Sequence, residues 1–288
     1  MLHFLKNKIK LFFLKEHIAC SKIIIDYSEL EKLPSSVFDD IFTGKLDYLL
    51  IRNFITKDEI KSFKKNNIPF LKDYNKLLVK KNDRSFIGLP ILETTDKKEH
   101  FKIAKEYKQN EEKILGFSYN ERIIKVLSKI TSLQNIEIPK DKTGNEYLGN
   151  SVRFLDVTFS IHIDKIVFDT HIQSEELRTM MSPENILSFY SVLKNPIIGG
   201  RLFLFNKLHK DTPENILEQN AIGNFKVVEN YIYQYDVTKI KVNEGDLILF
   251  DAGQRWHLIE PMLGYEKRIS IGCNTSYNKE KTKIYFWS

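Results

Sequence analysis

From Gly149 onward the chain becomes a succession of short apolar, β-branched runs, and that pattern leaves few folds open. The runs cover residues 152–163, 186–193, 201–205, 231–242, 246–250, 256–260 and 268–273. Turn residues punctuate them, among them Asn195-Pro196, Gly199-Gly200 and Glu244-Gly245-Asp246. Many short strands divided in this way fold as a sandwich or jelly roll. Residues 1–149 read differently, as mainly helical. Apolar residues recur at three- and four-residue spacings over 98–112 and 121–133, and a strand-like run, DYLLIRNF, covers 47–54. Thr56 follows it as a helix N-cap, with Glu59 three residues on as its capping-box partner. The expected architecture is α+β: a jelly-roll (double-stranded β-helix, cupin-like) core over 150–288, buttressed by a helical N-terminal layer over 1–149, in one domain.

Composition bounds the function. Hydrophobic residues make up 42% and charged residues 28%, as in an ordinary globular protein with a sizeable core. The net charge of +6 raises a nucleic-acid partner, but the lysines are scattered among Asn and Ile and no basic-aromatic recognition motif accompanies them. Cys20 and Cys273 stand alone and far apart, which argues against a disulfide framework or a cysteine-bound zinc and fits a reducing cytoplasm. The first twenty residues are basic and amphipathic. Lys6, Lys8, Lys10 and Lys15 interrupt their apolar runs, so they read as a packed helix and not as a signal peptide or a membrane span.

The chemistry concentrates in five residues: His162 and Asp164 in an H-x-D, then His257, then Arg268 and Ser270 in an R-x-S. On a strand, residues two apart face the same way, so His162 and Asp164 are expected to point into the barrel from the end of one strand. His257 would join them from a second strand. Two imidazoles and one carboxylate suit Fe(II), and also Mn(II) or Zn(II), on one face, with the opposite positions open. An arginine past the second histidine can hold a carboxylate with a two-pronged hydrogen bond, and the serine can add a third contact. The set reads as an iron oxygenase consuming a keto acid. Each of these residues alone has a plainer reading, as a strand histidine, a surface carboxylate or an edge-strand charge. Order and spacing together favour the site.

At these residues the sequence resembles the Fe(II)/2-oxoglutarate-dependent oxygenases, over about residues 150–276. Beyond H-x-D…H…R, the similarity includes FYSVLKNPIIGGRLFLFN and the ordered run VNEGDLILFDAGQRWHLIEPMLGYEKRISIG. The resemblance implies that His162, Asp164 and His257 bind Fe(II). It implies that Arg268, assisted by Ser270, binds the distal carboxylate of the co-substrate 2-oxoglutarate. O2 is then the oxidant, and a C–H bond is hydroxylated with release of succinate and CO2. In halogenating relatives the position of Asp164 is a small residue that leaves room for chloride, so Asp164 argues against halogenation. His171, with Gln173 two residues on, is the weaker alternative first ligand. No residue is legible as the contact for the proximal carboxylate of 2-oxoglutarate; Arg153 and Tyr190 sit on inward strands but read as packing or surface residues, and Asp169, Asp251 and Glu260 could meet a cationic substrate. His3, His17, His100 and His209 have no partner spacing and read as surface or packing residues.

The run RISIGCNTSYN carries no second arginine, against the nucleic-acid demethylase branch. The expected substrate is a small molecule, a free amino acid or a biosynthetic intermediate. A prolyl-type protein hydroxylase and a non-enzymatic cupin-like binder are the alternatives. A binder has no use for the Arg268–Ser270 clamp, and a zinc hydrolase would need a general base that the motif does not offer.

Overall fold

The computed structural model describes residues 14, 16, 20–73, 77–81, 84–155, 160–222, 224–263 and 267–288. The amphipathic reading of the first twenty residues, with His3 and His17, lies outside these apart from Leu14, Glu16 and Cys20. In chain order the elements are β1 (Lys22–Asp26), α1 (Val37–Phe42), β2 (Tyr48–Arg52), α2 (Lys57–Asp73), β3 (Leu78–Lys81) and β4 (Arg84–Ile87). There follow α3 (Lys97–Leu115), α4 (Tyr119–Ile130), β5 (Ile136–Glu137), β6 (Ser151–Leu155), α5 (Asp164–Thr170), α6 (Glu175–Met180), β7 (Leu187–Lys194) and β8 (Leu202–Leu208). The chain continues through α7 (Glu214–Ala221), α8 (Phe225–Ile232), β9 (Val237–Ile240), β10 (Leu247–Phe250), β11 (Arg255–Ile259), β12 (Arg268–Tyr277) and β13 (Ile284–Trp287).

A large sheet runs in the order β1-β2-β10-β7-β12-β6-β4-β3, with β13 and β5 attached beside β12, and a smaller sheet runs β11-β8-β9. The two form a double-stranded β-helix. The strands of the large sheet read as near-continuous apolar runs because both of its faces are covered. Along β2, Leu49 and Ile51 pack with the helices, while Tyr48 and Leu50 turn toward the smaller sheet. Leu247 and Leu249 of β10 alternate with Ile248 and Phe250 in the same way. The helix-side core gathers Ile103 and Tyr107 of α3 with Ile123, Val126 and Leu127 of α4, against Val152, Phe189, Ile271 and Cys273. On the other face of β7 and β12 the alternation turns polar, at Ser188, Arg268, Ser270 and Asn274, all buried.

Local signals account for most boundaries. Thr56 and Glu59 form the expected reciprocal capping box: the Thr56 amide donates to Glu59 at 2.8 Å and the Glu59 amide to Thr56 at 3.2 Å. Asp96 and Ser118 cap α3 and α4, and Gly116 ends α3 at φ +85°. The Gly199-Gly200 turn needs both glycines. Their φ angles are +85° and +78°, and a Cβ on Gly199 would lie 2.0 Å from the Pro261 carbonyl oxygen.

Three readings from the sequence are corrected. Besides helices and the expected strand at β2, the first 149 residues supply β1, β3, β4 and β5 to the large sheet. The run 231–242 is strand only over β9; before it, Val228 and Ile232, four apart and buried, belong to helix α8. The run 152–163 is not a strand throughout. β6 ends at Leu155, His162 makes a single bridge to His257, and Asp164 begins helix α5.

His100 on α3 is a buried packing residue. Its Nδ1 lies 2.7 Å from the Leu89 carbonyl oxygen, and the Leu148 amide donates to its Nε2 at 3.4 Å. Burial pulls its pKa down to about 4, below the ordinary 6.5. A histidine held neutral when folded binds a proton more readily once unfolded, so its stabilising effect is full above pH 6.5 and fades as pH falls toward 4. The shift corresponds to about 3 kcal/mol at most. We expect the melting temperature of the wild type to fall more steeply than that of His100→Gln between pH 6.5 and 4.5; parallel curves would contradict this account.

Candidate metal centre

His162, Asp164 and His257 converge, with one ligand atom of each lying within 4.8 Å of the others. Asp164 Oδ1 is 3.4 Å from His162 Nε2 and 3.5 Å from His257 Nε2. The backbone explains the convergence. His257 is on β11, at the edge of the smaller sheet, and His162 pairs with it through reciprocal backbone hydrogen bonds of 3.1 Å. Ile163 keeps an extended conformation (φ −129°, ψ 123°), so the two-residue alternation carries Asp164 to the same side although Asp164 is already helical. The Asp164 amide donates to the Ala252 carbonyl at 2.9 Å, tying the start of α5 to the loop before β11.

The donor atoms are set up to receive a cation. His162 Nδ1 lies 2.8 Å from the Ser160 carbonyl and His257 Nδ1 3.0 Å from that of Arg255. Each ring therefore carries its proton on Nδ1 and turns an Nε2 lone pair toward Asp164. Burial, reinforced by the neighbouring His162 ring, pulls the His257 imidazole below its ordinary value, toward the neutral form. Burial raises the Asp164 carboxyl, but hydrogen bonds from His162 and His257 and the positive charge those rings carry when protonated outweigh that and hold it well below the usual carboxylate range. With both rings neutral, three acceptors meet at one point, an arrangement that a divalent cation satisfies in place of the imidazole protons. Ligands about 2.1 Å from one metal on a single face sit about 3 Å apart, so the two Asp164 separations need to close by only about half an ångström.

Two residues that support this group were not singled out in the sequence. Ser188 Oγ lies against the second Asp164 oxygen, Oδ2, and 2.6 Å from the Asn274 side-chain amide. One hydroxyl proton cannot serve two acceptors, so the Asn274 amide offers its nitrogen to Ser188, and Ser188 gives its proton to Asp164. Serine and asparagine on otherwise apolar strands were the available signal, visible only once β7 and β12 are known to have a buried inner face.

Arg268 and Ser270 lie farther along that face of β12. Arg268 is 2% exposed, stacks on Tyr190 at 4.7 Å from the ring centroid, and donates to Ser270 Oγ at 3.3 Å. Its Nε and Nη2 are buried without a hydrogen-bond partner. Burial disfavours the guanidinium charge, and so does the nearby charge of Arg153, although Tyr190 partly offsets them. The other candidates stand apart. His171 caps the end of α5 outside the cluster. Asp169 pairs with Lys165, Asp251 accepts from Asn185 and the Gln254 amide, and Glu260 holds Arg201 with two hydrogen bonds, so none faces the group.

A cavity of about 530 Å³ opens over His162 and Asp164. Phe86, Leu92, Ile166, Val167 and Phe225 give it apolar walls, while Arg84, Glu93 and Arg153 supply charge. That size and mixture suit a small organic molecule.

No curated protein matches the sequence significantly. Among solved structures, the chain is similar to an N-substituted L-amino acid dioxygenase from Burkholderia ambifaria, with a TM-score of 0.53 at 10% identity, over 88% of this chain and 91% of that one. The same enzyme in complex with α-ketoglutarate gives a TM-score of 0.51 at 10% identity, with the same coverage. Residues 21–288 match the family model described as the carrier-protein-independent halogenase WelO5. The chain belongs to the WelO5 family, and with it to the Fe(II)- and 2-oxoglutarate-dependent oxygenases that its sequence resembles.

Proposed function

We propose that this enzyme hydroxylates an unactivated C–H bond of a small molecule, with His162, Asp164 and His257 as the iron ligands and Arg268, assisted by Ser270, as the clamp for the distal carboxylate of 2-oxoglutarate. The observation that carries the reading is Asp164, its Oδ1 set between two imidazoles that present their lone pairs to it. Bound iron, with 2-oxoglutarate and O2, supplies an oxidant strong enough to remove hydrogen from carbon, leaving succinate and CO2.

The chain's own residues do the rest. The Nδ1 hydrogen bonds of His162 and His257 fix both rings. Ser188 holds the second Asp164 oxygen, which favours one-oxygen attachment to a metal. Arg268 Nε and Nη2 stand ready for a carboxylate, and its charge, buried without a carboxylate partner, favours a dianionic co-substrate. The cavity walls order the substrate and exclude water.

Halogenation, the activity in the family description, needs a metal position given over to a halide. Here Asp164 takes the place of the small residue that makes such room. The family match and this departure from the halogenating pattern together favour hydroxylation. The cavity volume favours a small molecule over a folded protein chain.

Two outcomes follow. In Co(II) titrations, Asp164→Ala should abolish the visible bands of the bound metal, and Ser188→Ala should weaken binding about 10- to 100-fold. His171→Ala should leave binding unchanged, and loss of metal in that variant would move the first ligand. With Fe(II), 2-oxoglutarate and ¹⁸O2 in chloride buffer, amino acids and related small molecules can be screened for stimulated succinate formation. The stimulating compound should gain one labelled oxygen; a chlorinated product instead would overturn the hydroxylase reading.

A further inference from the structure

The chain has eight arginines, and six of them are satisfied by oxygen acceptors. Arg52 holds Asp246, Arg84 holds Glu93, Arg122 holds Glu59, Arg201 holds Glu260 and Arg255 holds Asp47, while Arg178 donates to backbone carbonyls. Arg153 and Arg268 are the exceptions. Arg153 makes no ion pair among the described residues, and its Nε is buried without a hydrogen-bond partner. An unpaired guanidinium inside a cavity is costly, and an anion is the partner that fits it.

The sheet register places this second orphan. Arg153 on β6 stands opposite Ser270 of β12 and opposite Phe86 of β4, so it shares the inner face of the large sheet with Arg268 and Asn274. It also lines the cavity that holds His162 and Asp164, whereas Arg268, Ser270 and Tyr190 do not. The two unpaired guanidiniums therefore serve different spaces: Arg268 the buried slot beside Tyr190, Arg153 the open cavity above the metal ligands. The remaining cavity-lining arginine, Arg84, is already tied to Glu93. One free fork suits a planar, singly charged acceptor better than a doubly charged phosphate, which would need more donors.

We propose that Arg153 binds a carboxylate on the organic substrate, and that the enzyme accordingly oxidises an apolar carboxylic acid. The acid group docks at Arg153, and the apolar body lies against Phe86, Leu92, Ile166 and Phe225, over His162 and Asp164. This rests on the reading of the cavity as the substrate side of an Fe(II)/2-oxoglutarate site. It makes Arg153 a specificity determinant, distinct from the co-substrate clamp.

The test uses a panel of apolar acids paired with their primary amides, such as N-acetyl-L-phenylalanine and N-acetyl-L-phenylalaninamide, or 4-phenylbutyrate and 4-phenylbutanamide. Binding is read by ligand-observed NMR on the full chain loaded with Zn(II) and 2-oxoglutarate, which cannot turn over. Wild type, Arg153→Gln and Arg153→Lys are compared, with melting curves to confirm that each is folded. Acids should bind the wild type better than their amides. Arg153→Gln should weaken acid binding roughly 10- to 100-fold, Arg153→Lys should restore part of it, and 2-oxoglutarate affinity should be unchanged. A panel in which no acid outbinds its amide overturns the proposal. So does an Arg153→Gln variant that loses 2-oxoglutarate and keeps the acid, since Arg153 would then serve the co-substrate. Failure of the underlying oxygenase reading would look different: the wild type would bind neither metal nor 2-oxoglutarate.

Discussion

The meeting of the Asp164 carboxylate with two imidazole lone pairs is the interaction on which the rest of this structure depends. With both rings neutral, three acceptors held together are unfavourable in a folded chain, and the surroundings fix them in place. The His162–His257 bridge fixes the spacing of the rings, the Ala252 carbonyl anchors the Asp164 amide, and Ser188 restrains the second carboxylate oxygen. Behind His257, Phe250 packs edge-on at 5.2 Å, and the adjacent Trp256 donates its indole N–H to Thr212. The ligand-bearing strand is thus locked from the side away from the cavity.

A double-stranded β-helix provides this because its large sheet is buried on both faces but for different reasons. The face toward α3 and α4 is packed with apolar side chains and supplies stability. The face toward the smaller sheet is buried yet polar where β7, β12 and β6 pass, and Ser188, Asn274, Ser270, Arg268 and Arg153 lie along it. Buried polar groups need partners. Those near Asp164 find them in the protein, whereas the guanidinium nitrogens farther along do not. That contrast is what supports the two proposals, a dicarboxylate co-substrate at Arg268 and, on the cavity side, a substrate acid at Arg153.

Much of this was legible in the sequence, for identifiable reasons. The strands of the second half announced themselves because short apolar runs bounded by turn residues have few alternatives, and the Thr56–Glu59 box marked a helix start from side-chain chemistry alone. The five chemical residues stood out by order and spacing. Alternation placed His162 and Asp164 on one side correctly but put them in the wrong element, because an extended Ile163 preserves the alternation up to the first helical residue. The aromatic run around Tyr231 suggested a strand, whereas the four-residue step from Val228 to Ile232 decided for a helix. Arg153 was less legible. An arginine on an inward strand reads as packing or surface until its neighbours are known, and only the three-dimensional arrangement shows that it makes no ion pair among the described residues. Ser188 and Asn274 were invisible for the same reason, since their roles depend on the pairing of β7 with β12.

The central claim, that one buried face joins a His162–Asp164–His257 metal site to an Arg268 carboxylate clamp, is tested most directly by anaerobic visible spectroscopy. Metal-free protein would receive Fe(II) and then 2-oxoglutarate, and the weak metal-to-keto-acid charge-transfer band would be titrated in the wild type and in Arg268→Ala. The account predicts a band in the wild type that saturates with 2-oxoglutarate, and in Arg268→Ala a band that forms only at much higher concentration while Fe(II) binding is retained. Absence of the band in the wild type, or an unchanged titration in Arg268→Ala, would contradict it.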